Sequence, residues 1–340
     1  MNLPPPGRPN GAGSACEPRS APSAQRGSGA TTCILGADVG GTKTLLGLAD
    51  AAGSIVDRRY ANADFPDFSA VLAAFLAATG VDRSTITSAC LALAGPIADD
   101  GRSARLTNLP WSVDADEIAR RFALPMPKLV NDFAAAAMGA VTAPPAELVT
   151  LQRGEPRADA PRLVVGAGTG LGMAIVLPED RGWRIVPGEG GHAGFAPADA
   201  EQAALREFLA ARHGRVTWER VVSGPGIAEI HEHLCGGILA TAEIVARSLV
   251  ADGAERRSVD LFLAAYGAFA GDMALACLAR GGVFVAGGIA ARLLPAIANS
   301  RFLESFNDKA EHAALAARMP VHVTADDRLG LRGALHLAAA

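Results

Sequence analysis

Two stretches of this chain repeat one design, an apolar run, a glycine-rich turn and a second apolar run. They read CILGADVGGTKTLLGLAD (residues 33–50) and RLVVGAGTGLGMAIVLP (residues 162–178). A duplicated strand–turn–strand unit is a strong constraint, because each copy needs further strands and helices to bury its apolar faces. We therefore expect two related α/β cores, one copy in each, with Asp38 and Gly166 at comparable places beside the turns. Length agrees, since 340 residues, half of them hydrophobic, are enough for two domains.

The rest of the chain alternates in the same sense. SIVDRRYA adds a third strand after the first repeat, and DFSAVLAAFLAATG carries apolar residues at helical spacing and closes on Gly80. SACLALAG reads as a buried strand, VDADEIARRFAL as an amphipathic helix, and KLVNDFAAAAMGA as a strand running into a helix. Further on, GGVFVAGGIAARLLP is a buried strand that ends in Gly287-Gly288 ahead of a helix.

Glycine turns of this kind hold phosphates in several ways. A P-loop needs GxxxxGK[ST] between a strand and a helix, but Thr42 stands where the lysine belongs and a strand follows. The dinucleotide fingerprint fails too, because GAGTGLG spaces its glycines in steps of two and MAIVLP runs on as a strand. What remains is a hairpin whose backbone N–H groups form an anion-binding concavity, or a pair of ordinary tight turns. Asp38 favours the first, since a carboxylate beside a phosphate calls for a cation such as Mg²⁺ between them.

Several polar residues stand at strand ends or in glycine loops. Asn131 and Asp132 join a buried strand to an Ala-rich helix, where either caps the helix or faces a ligand. Glu189 and His192 flank Gly190-Gly191 in PGEGGHAGFAP, and Glu219 lies in TWERVVSGPG. Each of the three has a plain structural alternative. Gly287-Gly288 mark either a ligand crevice beyond a strand end or close helix–strand packing.

Composition narrows the function classes. A net charge of −4 with scattered basic residues disfavours nucleic-acid and anionic-membrane surfaces. The five cysteines, Cys16, Cys33, Cys90, Cys235 and Cys277, form no CxxC pair, which argues for a reducing, cytoplasmic setting and against a disulfide framework or zinc site. Residues 1–32 are rich in Pro, Gly and Ser without an apolar run, and we expect a disordered tail rather than a signal peptide or anchor.

Taken in order, GADVGGTKT, LALAGP, TNLPW, LVNDFAAAAMGA, GAGTGLGMA, PGEGGHAGFAP, ERVVSGPG and GGVFVAGGI resemble the bacterial glucokinases from about residue 34 to the C-terminus. Lys43-Thr44 and NLPW also resemble the broader ROK sugar kinases. The cysteine-rich zinc motif of that family is missing after His192, where the chain runs AGFAPADAEQ, so the resemblance implies no structural zinc. It implies the two-domain actin-like (ribonuclease H-like) ATPase fold, with duplicated βββαβα cores and an interdomain cleft. The implied division is a small domain over 33–142, completed by a C-terminal helix at 328–340, and a large domain over 143–327.

The implied chemistry is transfer of the ATP γ-phosphoryl to the 6-hydroxyl of glucose, with Asp132 as general base. Asp38, Gly40, Gly41 and Thr42 would form the first phosphate loop, with Asp38 holding Mg²⁺ through water. Gly168, Thr169 and Gly170 would form the second, and Gly287 and Gly288 would lie near adenosine. Asn131, Asp132, Glu189, His192 and Glu219 would contact the sugar. The implied assembly is a homodimer. Rival readings are a kinase for fructose, mannose or an N-acetylated amino sugar, and a sugar-sensing regulator. The regulator expects a basic helix-turn-helix at the N-terminus, which the Pro/Gly/Ser-rich tail does not offer.

Overall fold

The computed structural model describes residues 32–340; the tail expected ahead of them, and with it Cys16, lies outside the described residues. β1 (Cys33–Val39), β2 (Lys43–Asp50) and β3 (Ile55–Ala61) form an antiparallel meander. α1 (Phe68–Thr79) follows. Asp67 caps it by accepting from the Ala70 N–H, and Gly80 ends it in the left-handed conformation, the usual chemistry at both helix ends. β4 (Ile86–Leu93) then returns parallel to β1. A small hairpin of β5 (Ser103–Arg105) and β6 (Ser112–Asp114) leads to α2 (Ala115–Phe122), β7 (Lys128–Asn131) and α3 (Asp132–Val141). The sheet order is β3-β2-β1-β4-β7. β1 and β4 are almost wholly buried, as strands covered on both faces must be, and their runs are accordingly apolar.

β8 (Leu148–Gln152) opens the second sheet, and β9 (Arg162–Ala167), β10 (Leu171–Glu179) and β11 (Gly182–Gly188) repeat the meander. α4 (Ala200–His213), α5 (Trp218–Val221), α6 (Gly224–Cys235) and α7 (Thr241–Ser248) lead to the long α8 (Ala254–Cys277). β12 (Gly282–Ala286), α9 (Gly288–Ile297), α10 (Phe302–Asn307), α11 (Ala313–Ala316), β13 (Val321–Thr324) and α12 (Leu329–Ala339) complete the chain. The order is β11-β10-β9-β12-β13-β8, with β9, β12 and β13 parallel. Both sheets are thus an antiparallel meander continued by parallel strands, whose crossovers run through helices. α8 is long and apolar enough to cross a membrane by length and composition, but most of it is buried. Phe262, Tyr266 and Phe269 place it in the core behind the second sheet.

α3 is shared by the two halves. It packs along α12 and against β4, and also against β9, β10, β11 and β12. One apolar cluster accordingly joins Cys90 and Ala92 of β4, Ala135 and Met138 of α3, and Val164, Ala174 and Val176 of the second sheet.

Each hairpin contains a cross-strand glycine pair, Gly36 opposite Gly47 and Gly166 opposite Gly172. The missing side chains leave a notch that another residue fills. Leu331 and Leu335 of α12 fill the first, where a Cβ at Gly36 would lie 2.7 Å from Leu335 Cγ. Phe133 of α3 fills the second, where a Cβ at either Gly166 or Gly172 would lie 2.6 Å from Phe133 Cε2. Asp38 and Gly166 stand at matching places, as the duplicated pattern leads one to expect. Each is the penultimate residue of its strand and lies two residues before the first glycine of its turn, whereas Gly36 lies two residues further back.

Candidate active site

A cleft of about 880 Å³ is lined from both halves of the molecule. The first turn enters it with Asp38, Gly40, Gly41 and Lys43. Gly40 N–H donates to Lys43 O at 3.0 Å, closing the turn. Buried Asn62 braces it from behind: its Nδ2 donates to Gly40 O, its N–H to Thr42 O, and Thr44 Oγ1 donates to its Oδ1. Thr42 itself is exposed and is not among the residues lining the cleft.

The second turn brings Gly168, Thr169 and Gly170 to the same cleft. Gly168 N–H donates to Gly170 O, and Gly224 N–H at the start of α6 donates to Gly168 O, both at 2.8 Å. Ser223 caps that helix by accepting from Gly226 N–H. Ala167 N–H donates to the buried Tyr266 hydroxyl. Glu219 in α5 accepts from Leu171 N–H through Oε2 at 2.8 Å, and its carboxylate lies where a side chain at Gly170 would stand. Gly287 adopts φ +94, a region that favours glycine, and a Cβ there would come within 2.6 Å of Ala167 O. It and Gly288 line the cleft where α9 begins.

At the β7–α3 junction the two polar neighbours divide the work. Asn131 is the helix cap, accepting from the N–H groups of Phe133 (3.0 Å) and Ala134 (3.3 Å). Asp132 is the first helical residue, and its Oδ1 accepts from Phe133 N–H at 2.8 Å. Both line the cleft. Burial pushes the Asp132 carboxyl above the ordinary carboxylate range, against the lowering effect of that bond. Asp38 is pushed to about 6 by burial and by the negative charge of Asp132, with Lys43 acting in the opposite direction. Its carboxylate rests on Gly330 in the first turn of α12, an approach that needs the missing side chain.

Glu189 lines the cleft. His192 stands 3.7 Å from it through Nε2, with its side chain 60% exposed, and is not among the lining residues. Phe133, Asn108, Asp326 and Asp327, which are not among the site residues expected from the sequence, also line the cleft. Asn108 was within reach of motif reading through TNLPW, where it packs beside Gly41. Asp326-Asp327 sit in a loop without a glycine or a periodic pattern, and nothing local marks them.

The chain matches the glucokinase family over residues 35–340. It is 37% identical to the glucokinase of Nostoc sp. over 342 aligned positions, covering 91% of this chain and 99% of that protein. The glucokinase of Chromobacterium violaceum is 37% identical over 88% of each chain. Among solved structures, a glucokinase from an Antarctic psychrotroph superposes with a TM-score of 0.80 at 30% identity, covering 90% of this chain and 98% of that one. A ROK family glucokinase from Streptomyces griseus, at 21% identity and a TM-score of 0.63, shares the fold. These likenesses place the duplicated sheets in the actin-like sugar-kinase fold. The chain belongs to the glucokinase family, and its activity is ATP-dependent phosphorylation of glucose.

Proposed function

We propose that Asp132 is the general base that takes the proton from the 6-hydroxyl of glucose as the γ-phosphoryl of ATP is transferred to that oxygen. The observation that carries this reading is the meeting of one carboxylate, at a helix start, with two glycine turns in a single cleft. A sugar hydroxyl is a poor nucleophile, and a positioned carboxylate of raised pKa is a better proton acceptor than an ordinary one. Fixing Oδ1 on Phe133 N–H orients the carboxylate before the sugar arrives.

The remaining roles follow the chemistry of each group. Asn131, Glu189, His192 and Glu219 supply the donors and acceptors that ring hydroxyls need. Gly41 and Thr42 on one side, and Thr169 and Gly170 on the other, offer backbone N–H groups to phosphate oxygens, while Gly40 and Gly168 use theirs to close the two turns. Gly287 and Gly288 leave room for adenosine. Asp38 fits a Mg²⁺ ion held through water, since burial and a second carboxylate nearby raise its pKa in the way a cation would relieve. Such an ion, when bound, neutralises phosphate charge. We read residues 33–142 with 328–340 as the smaller lobe, closing on 143–327 to exclude competing water, in a cytoplasmic homodimer.

Asp132→Asn tests the reading. It should lower kcat by at least ~10²-fold, the usual scale for a general base, with ATP binding kept. Glucose phosphorylation at the wild-type rate would exclude Asp132 as the base. A coupled assay over glucose, mannose, fructose and N-acetylated sugars measures how closely the cleft is fitted to glucose.

A further inference from the structure

Phe133 stands beside the proposed base, and nothing in its chemistry gives it a part in proton or phosphoryl transfer. Its placement does. The N–H of Phe133 donates to Asp132 Oδ1 at 2.8 Å, so its backbone sets where that carboxylate sits. Its ring lies in the notch opened by Gly166 and Gly172, which face each other across the β9–β10 hairpin. Each of these glycines is two residues from the Gly168–Gly170 turn. A single residue thus connects the carboxylate of one half of the molecule to the glycine turn of the other, through one hydrogen bond and one packed ring.

We propose that Phe133 is a positioning residue for phosphoryl transfer, holding the Asp132 carboxylate at a fixed offset from the Gly168–Gly170 turn. The inference rests on the reading of Asp132 as base and of that turn as a phosphate site. The physical ground is that reacting groups must be aligned closely, and a displacement of about 1 Å can slow a reaction ~10²-fold. A notch with no side chains on either strand gives the ring little freedom to shift. Two glycines opposite each other weaken a hairpin, and here the Phe133 ring fills the space they leave.

Three variants test this in the full-length enzyme. Phe133→Leu keeps an apolar side chain but no longer fills the notch. Gly172→Ala adds a methyl group from the opposite side and displaces the ring. Each should lower kcat about 10–100-fold, with the dissociation constant for glucose changed less than about threefold. The decisive measurement is Phe133→Leu in the Asp132→Asn background. A residue that acts through the carboxylate has little left to disturb there, so the double variant should be no more than about twofold slower than Asp132→Asn alone.

A kcat loss that persists in full in the Asp132→Asn background overturns the proposal and leaves Phe133 as packing. So does a wild-type kcat in either single variant. An Asp132→Asn enzyme of wild-type rate removes the base reading and this role with it. An inactive Asp132→Asn enzyme beside a fully active Phe133→Leu removes only the positioning role.

Discussion

At the first hairpin, Leu331 and Leu335 of α12 fill the Gly36–Gly47 notch, and the strand carries Asp38 toward the cleft. At the second, Phe133 of α3 fills the Gly166–Gly172 notch, and the strand carries glycine where an acid might have stood. The supports differ in the same way. Neutral, buried Asn62 braces the first turn from outside the cleft, whereas the Glu219 carboxylate braces the second from within it. The two copies therefore keep the architecture of a glycine hairpin and exchange the places of charge and packing. In one the acid belongs to the hairpin and the filler is plain core; in the other the acid comes from a distant helix and the filler comes from the residue beside Asp132.

The largest effect expected from that difference lies at Asp38. Asp38→Asn should lower activity about 10–100-fold at limiting Mg²⁺, the scale for a group that orients a metal from the outer shell, and excess Mg²⁺ should recover part of it. The same variant should be more stable. Asp38 has a folded pKa of about 6 against 3.8 unfolded, so the folded state holds the proton more tightly. Stability then falls as pH rises from about 4 to 6, and above pH 6 the full penalty, about 2–3 kcal/mol, is present. Thermal unfolding at pH 7.5 without Mg²⁺ should show the variant melting about 2–5 °C above wild type, and the gap should close below pH 4. No gain at pH 7.5 would mean that Asp38 is not held against its charge.

Gly36→Ala probes the static notch. The new methyl would press on Leu335 Cγ, and overpacking of this kind costs about 1–3 kcal/mol. Denaturant unfolding should register that loss while kcat stays at the wild-type value. This is the direct counterpart of Gly172→Ala, for which a fall in kcat is expected. If both alanines lowered kcat alike, the notches would be equivalent and the contrast between them would disappear.

How much of this was legible beforehand follows from where the information lies. The hairpins, α1 with its Gly80 stop, and the Asn131-Asp132 junction are written in local pattern and turn chemistry, and the structure contains each of them. The sequence left open which residue of the junction caps the helix; the bonds assign that to Asn131. Asn62 and Tyr266 were invisible because their partners lie far along the chain, and an isolated Asn or Tyr carries no sign of a distant carbonyl or amide. Phe133 was hidden for a related reason. Its role depends on strand register, and only register brings Gly166 opposite Gly172.

The smallest effect expected concerns Glu219, and it decides whether the second brace resembles the first. Gln keeps the shape of the side chain and an oxygen to accept from Leu171 N–H, but it loses the charge. A charge-assisted hydrogen bond is about twice as strong as a neutral one, so the variant should forfeit roughly 1 kcal/mol. If Glu219 also holds a sugar hydroxyl, Glu219→Gln should raise the KM for glucose about fivefold. Steady-state kinetics at saturating ATP, set beside a thermal melt, separate the two roles. A lowered melting temperature with an unchanged glucose KM would make Glu219 a second Asn62, a support and nothing more. A raised KM at an unchanged melting temperature would place the acid of the second hairpin in sugar recognition.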